Sequence, residues 1–214
     1  RGMTTREDDA LKELVVVDTH DTLLFFTNRG RVYPLRVFQL APDTSRTSRG
    51  TLLVNLIPLG PGEQIQTMLA TKNPKEGDLL VLATQLGEVK ALKEGALSNI
   101  QARGLIVMDL EPGDELVSVK QLGDAQDVVM VSETGQSIRF PIRNLAPRSR
   151  TAGGVRGMRL RQDDKVVTML TVTQDDRLLV VSEGGYGKAT PLSMYPTQTR
   201  GGLGVRTFKV TDKT

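Results

Sequence analysis

Few residues in this chain are able to do covalent chemistry. His20, the only histidine, stands in VVDTHDTLLFF between Asp18 and Asp21. An imidazole flanked by carboxylates can serve as a base or hold a metal, but a transition-metal centre needs several nitrogen or sulfur donors. With no second histidine and no cysteine, the chain cannot complete one. The Asp-Thr-His-Asp run reads instead as a hairpin turn whose short side chains bond their own backbone. The acidic pairs Asp8/Asp9, Asp163/Asp164 and Asp175/Asp176 could bind a hard cation. They fall in tight turns, where solvated carboxylates are the expectation.

Glycine-rich loops can cradle phosphates, and QTRGGLG (198–204) places Arg200 beside Gly201, Gly202 and Gly204. Neither GxxxxGK[ST] nor a strand–GxGxxG–helix unit occurs, and this segment leads into a strand rather than a helix N-terminus. Tyr33, Tyr186 and Tyr195 have no base or metal ligand close in sequence to activate a phenol. The expectation is a chain that catalyses nothing and carries no cofactor or metal.

What remains is arginine and lysine. The net charge is only +3, but between Glu133 and Asp163 there is no acidic residue, while Arg139, Arg143, Arg148, Arg150, Arg156, Arg159 and Arg161 all fall there. A second acid-free stretch, 184–211, holds Lys188, Arg200, Arg206 and Lys209, and the acids collect in turns such as EPGDE (111–115). Segregation of this kind points to a polyanion as partner.

The elements that must position these cations repeat along the chain. LLFFTNRGRVY, LLVLATQLGEVK, VVMVSETGQSIRF and LLVVSEGGYGKAT align on Gly30, Gly87, Gly135 and Gly185. A second anchor follows each, at Gly50, Gly104, Gly154 and Gly204, with spacings of 54, 50 and 50 residues. Each unit reads as an apolar strand, a glycine turn, a second strand, a polar Arg/Gly loop, a third strand, an acidic turn and a fourth strand. SRGTLLVNL (48–56) should therefore contain a third strand. TKNPKEGD (71–78) reads as a hairpin tip and APDTSRTS (41–48) as a surface loop. No long 3.6-residue periodicity occurs, so the class is all-β. A repeat near 50 residues with four strands implies a propeller-like array of blades over 1–214, read as a single domain with partial blades at each end. An array cut at both ends is the expectation from the half-units that flank it.

In such an array, equivalent positions share a rim. After the glycine turns come Arg31 and Arg36, Lys90 and Lys93, Arg139 and Arg143, and then Lys188. Around the second anchors come Arg46 and Arg49, Arg103, Arg148 and Arg150, and Arg200. With Arg29, Arg156 and Arg206, these form the candidate surface for a curved polyanion such as duplex DNA, and Gly201 and Gly202 would let backbone amides approach phosphate. Aromatic residues are only 4% of the chain, which argues against stacking platforms for single strands. A repeat scaffold for an acidic protein partner is the competing reading.

THDTLLFFTNRGRVYPLRVFQL (19–40), RTAGGVRGMRL (150–160) and above all GYGKATPLSMYPTQTRGGLG (185–204) resemble the C-terminal domain family of the gyrase A protein, GyrA, of DNA gyrase. The resemblance implies a β-pinwheel whose basic perimeter binds and wraps double-stranded DNA. It further implies partnership with the rest of GyrA and with the gyrase B protein, a cytoplasmic, nucleoid-associated location without membrane contact, and a monomeric isolated domain. The related domain of topoisomerase IV is the alternative, and the regular repeats favour gyrase. The family's box, Q-R-R-G-G-K-G, belongs just before GMTTREDD. QTRGGLG matches five of its seven positions through Gln198, Arg200, Gly201, Gly202 and Gly204, with Thr199 and Leu203 in place of two basic residues. A chain without the principal box is expected to bind DNA but to wrap it less.

Overall fold

The computed structural model describes residues 13–40, 50–72 and 78–211. Acidic residues Asp8 and Asp9, the loop 41–48 and the candidate residues Arg46 and Arg49 lie outside the described residues, as does most of the tip 71–78.

The four apolar runs form four hairpins: β1 (Thr22–Thr27) with β2 (Arg31–Arg36), β4 (Leu79–Thr84) with β5 (Glu88–Lys93), β8 (Asp127–Ser132) with β9 (Gln136–Pro141), and β12 (Arg177–Val181) with β13 (Gly187–Pro191). Their turn glycines all take positive φ: 66° at Gly30, 92° at Gly87, 79° at Gly135 and 80° at Gly185. Long strands follow the acidic turns: β3 (Ile65–Thr71), β7 (Leu116–Gln121) and β11 (Val166–Val172). Each pairs with the first strand of a hairpin: β3 with β1, β7 with β4 and β11 with β8.

The third strands are short and leave their own repeat. These are β6 (Leu105–Ile106), β10 (Val155–Arg156) and β14 (Val205–Arg206). β6 pairs with β2, β10 with β5 and β14 with β9, so each third strand completes the preceding sheet. The strand orders are β3-β1-β2-β6, β10-β5-β4-β7 and β11-β8-β9-β14, with β12-β13 as a two-stranded sheet. The described part of SRGTLLVNL, 50–56, does not form the expected third strand: Leu53–Asn55 is a 3-10 turn. Among the described residues no earlier hairpin faces it, so it has no ladder to join.

Both faces of the middle sheets are buried, which is why their strands read as unbroken apolar runs rather than alternating ones. On β4, Leu80 and Leu82 pack toward the first repeat with Leu24, Phe26 and Val32, while Val81 and Ala83 pack toward the third with Val128, Met130, Ile138 and Phe140. Two layers of side chains thus hold successive blades together.

The blades are also tied through the hairpin glycines. The Gly30 carbonyl accepts the N–H groups of Val107 and Met108, that of Gly87 those of Gly157 and Met158, and that of Gly135 those of Thr207 and Phe208. The chain passes so close that a Cβ on Gly87 would lie 2.4 Å from the Met158 carbonyl oxygen.

Candidate nucleic-acid interface

The structure divides the candidate cations into groups. Lys90 and Arg139 leave the surface set. Lys90 is fully buried, its ammonium donating to the carbonyls of Val107 (2.7 Å), Arg150 (2.9 Å) and Ala152 (2.8 Å). Burial, then the nearby Arg148 charge, push its pKa down to about 8 against the pull of Asp109. Arg139 is paired with Asp127 through Nη2 (2.6 Å) and Nε (2.7 Å), and its Nη1 donates to the carbonyls of Leu192 and Tyr195. Neither charge can reach a phosphate outside. Composition and spacing register a cation's type and place in a repeat, not the neighbours that later enclose it.

The polar Arg/Gly loops lie along the sheet edges that the third strands complete. In the third repeat, Pro147 bridges Ala91 in parallel, the Arg148 N–H donates to the Ala91 carbonyl, and Val155 then pairs with Val89. The fourth repeat does the same fifty residues later: Thr197 bridges Arg139, Gln198 N–H donates to Arg139 O, and Val205 pairs with Ser137. Arg150 and Arg156 of one loop therefore match Arg200 and Arg206 of the next in register.

These loops touch. Arg159 N–H donates to Gly202 O (2.8 Å), and the Arg200 guanidinium donates to Arg156 O (3.0 Å) and Asn144 O (3.3 Å). The preceding junction repeats the first contact, with Asp109 N–H on Ala152 O (3.2 Å). Arg148, Arg150, Arg156 and Arg206 are exposed, while Arg200 is half-buried. The Arg148 guanidinium braces its own loop through the carbonyls of Gly153 and Gly154. On the first sheet the edge carries exposed Arg103 and half-buried Arg31, whose Nη2 donates to Arg103 O.

The other candidates lie elsewhere on the hairpins. Arg29 is exposed at the first hairpin turn and bonds the Pro61 carbonyl. Arg36 and Lys93 are exposed at the far ends of β2 and β5, and Arg143 follows β9 next to Asn144. Lys188 is exposed on β13. Exposed Arg159 and Arg161 adjoin the edge loops and belong with them, although their repeat positions alone did not single them out.

Within QTRGGLG the glycines differ. Gly204 has φ +71° and packs against the Ser137 carbonyl with no room for a Cβ. Gly201 has φ +84° with only ordinary contacts, the nearest being Arg156 O at 3.5 Å. Gly202 needs neither a left-handed backbone nor close packing.

Around His20 the expected turn is present: its N–H donates to Asp18 Oδ1 (3.0 Å), and Asp18 N–H to Asp21 Oδ2 (2.8 Å). The His20 N–H bond lowers the exposed Asp18 carboxyl's pKa. The acidic turns depart from expectation. Asp163, Asp175 and Asp176 are exposed, but Asp164 is buried and binds the Thr134 turn, as Asp114 binds Leu86 N–H (2.9 Å). Tyr33 does have a basic partner close in sequence: it accepts from Arg31 Nε (3.0 Å), two residues away, and donates to Glu63 Oε2 (3.0 Å). Among the described residues no group of acidic or histidine side chains could hold a metal, and no helix is long and apolar enough to cross a membrane.

A propeller-like array of four-stranded sheets, each closed by the next repeat and edged with arginine loops, defines a β-pinwheel. The family described as "DNA gyrase C-terminal domain, beta-propeller" matches residues 21–72, 78–122, 126–173 and 176–213, and the chain belongs to that family. It is 40% identical over 210 residues to GyrA of Dehalogenimonas lykanthroporepellens, covering 98% of this chain and 26% of that protein. To GyrA of Staphylococcus aureus it is 40% identical over 216 residues, covering all of this chain and 24% of the relative. It thus spans about a quarter of the length of these relatives. Its fold superposes on the C-terminal domain of DNA topoisomerase IV (TM-score 0.82, 24% identity, 95% of this chain and 64% of that one). The corresponding values for the DNA gyrase A C-terminal domain are 0.77, 28%, 92% and 64%. The fold is common to both, and the family match and the 40% relatives separate them in favour of gyrase.

Proposed function

We propose that this chain binds duplex DNA without sequence preference and bends it along the arginine-edged loops, as the C-terminal domain of GyrA. In this role it is non-catalytic, and strand passage and ATP use belong to the rest of GyrA and to the gyrase B protein. It works in the cytoplasm on the nucleoid and is monomeric in isolation. The observation that carries the reading is the matched register of Arg150 and Arg156 with Arg200 and Arg206 on two adjoining sheet edges, joined by the Arg159–Gly202 hydrogen bond.

Cations repeated blade by blade contact phosphates and position the duplex without reading bases. Among the described residues the arginines are spread over several sheet edges and hairpins rather than gathered on one element that could enter a groove. Bending a 20–30 bp site by 40–90° costs about 1 to 6 kcal/mol, so a curved path needs contacts on several blades at once.

The test is a titration of a labelled duplex of about 30 bp at two salt concentrations. With roughly 6 to 10 phosphate contacts, affinity falls by about 10³ to 10⁵ between 50 and 200 mM salt. A flat salt response points to the protein scaffold instead, and strong preference for one duplex sequence refutes backbone binding. Bending is read separately, as end-to-end energy transfer across the bound duplex.

A further inference from the structure

We infer that Lys90 is a buried positioning residue that holds the Arg148–Ala152 loop in its DNA-binding conformation, and that its protonation switches the loop's grip on DNA. This rests on the proposed function above.

The geometry is that of a saturated ammonium. Lys90 Nζ has three donors, and each has a carbonyl: Val107 O, Arg150 O and Ala152 O, all between 2.7 and 2.9 Å. No carboxylate pairs with it within ion-pair distance among the described residues. Two of the carbonyls flank Thr151, at the tip of the loop that presents Arg148 and Arg150, and the third belongs to the segment just after β6. Three backbone dipoles thus do the work of a counter-ion, and they order the loop in return.

A buried lysine at this position is particular to this blade, since Lys188 at the same place in the fourth is exposed. Three residues beyond the hairpin glycine, where the second repeat has Lys90, the first has Tyr33, the third Ile138 and the fourth Lys188. In the third sheet Arg139, one residue further on, bonds the Leu192 and Tyr195 carbonyls of the turn that precedes the Arg200 loop and pairs with Asp127, so no buried cation takes the place of Lys90 beneath that loop among the described residues.

The charged groups that act on it are Arg148 from the loop and Asp109 from the segment after β6; Glu88, two residues earlier on its own strand, lies against Gly154, and β4 contributes apolar Leu82 across the pair. Burial and Arg148 outweigh Asp109, and the pKa is about 8. Above it the neutral amine has two donors for three carbonyls and turns a lone pair toward one of them. The contact between loop and strand then loosens, and Arg148 and Arg150 lose their fixed positions.

The experiment is fluorescence anisotropy of the 214-residue chain with a 30-bp duplex of mixed sequence, from pH 7 to 9.5 at several salt concentrations. Wild type is expected to lose on the order of tenfold in affinity across that range, and its log–log salt slope to shrink by about 1.8, the equivalent of two phosphate contacts. Lys90→Met, matched in length and unable to carry charge, is expected to show the reduced slope already at pH 7 and no pH step. A folded Lys90→Met with wild-type affinity and slope overturns the inference. If that variant does not fold, the wild-type titration decides alone, and an affinity flat from pH 7 to 9.5 overturns it. Absence of binding by wild type at pH 7 removes the DNA reading itself and this inference with it, a result distinct from pH-independent binding.

Discussion

The Asp164 carboxylate receives both polar hydrogens of Thr134, the N–H at 3.1 Å and the hydroxyl at 2.7 Å, and so ties an acidic turn to the hairpin turn 30 residues before it. Asp114 occupies the equivalent place fifty residues earlier. Its Oδ1 accepts Leu86 N–H, but its Oδ2 is buried without a partner, because leucine stands where the next repeat has threonine. An unsatisfied buried acceptor costs about 1 to 3 kcal/mol. Leu86→Thr supplies the missing hydroxyl and gives up a side chain that is 48% exposed. It is expected to stabilise the chain by about 1 kcal/mol, and to raise Tm by about 2 to 4 °C in a protein of this size. A thermal melt showing a lower Tm refutes the assignment of Thr134 as the feature that satisfies Asp164.

Hairpin glycines at equivalent places should not respond alike to alanine. At Gly185 nothing lies within 4 Å of a built Cβ, so the cost is that of a left-handed residue alone, about 1 kcal/mol. At Gly87 the Cβ strikes the Met158 carbonyl, and the N–H groups of Gly157 and Met158 lose their seat on Gly87 O. Two lost backbone hydrogen bonds add about 2 kcal/mol, so Gly87→Ala is expected to cost about 3. Chemical denaturation of the two variants compares them directly, and equal losses would show that φ, not the blade junction, makes glycine necessary.

The buried carboxylates also set the acid limit of the fold. Burial raises the Asp164 pKa, but hydrogen bonds from Ser132, Thr134 and Lys165 outweigh it and leave the group below its ordinary 3.8. Glu63 is likewise raised by burial and brought below 4.5 by Thr27, Gly60, Tyr33 and Arg31. A folded pKa below the unfolded one means stability fully present above the ordinary value and lost as pH falls through the folded one. Tm is therefore expected to decline from about pH 5 downward, and Asp164→Asn, lower in Tm at neutral pH, should decline less steeply. Parallel curves for wild type and variant would remove Asp164 from the account.

Particular residues show which parts of this structure were legible in the sequence. The hairpins were, because Gly30, Gly87, Gly135 and Gly185 break apolar runs where a left-handed turn is required. The arginine loops were, because their spacing survives whichever sheet they join. Which sheet that is was not: Val155 and Arg156 carry nothing that says they pair with Val89 and Glu88 of the preceding repeat. Burial of charge was equally hidden. Lys90 and Lys188 share a repeat position, yet one is enclosed by the loop of the next repeat and the other is exposed. Asp164 reads as a solvated turn acid until the Thr134 turn, 30 residues away, closes over it. Each miss is a contact made by a segment distant in sequence.

The role of glycine in QTRGGLG can be tested by separating what the fold requires from what a ligand requires. Gly204 is fixed by packing, so Gly204→Ala should lower stability strongly, since its Cβ meets the backbone of Ser137 and Ile138 at positive φ. Gly202 is different. Its φ is not left-handed, and its built Cβ meets only Gln198 Oε1 and Ile138 Cδ1 at 3.5 Å and Thr199 O at 3.7 Å, which are ordinary contacts. Folding therefore tolerates alanine there, and by shedding the backbone entropy of glycine in the unfolded chain the change could even stabilise by a few tenths of a kcal/mol. A phosphate approaching this backbone would meet the new methyl group. Gly202→Ala is thus expected to leave Tm within about 2 °C of wild type, the shift of roughly half a kcal/mol, while weakening duplex binding several-fold. The comparison is a melt and an anisotropy titration on the same sample. Unchanged affinity with unchanged Tm would show that DNA does not come close to the Gly202 backbone, and that the arginine side chains alone span the gap.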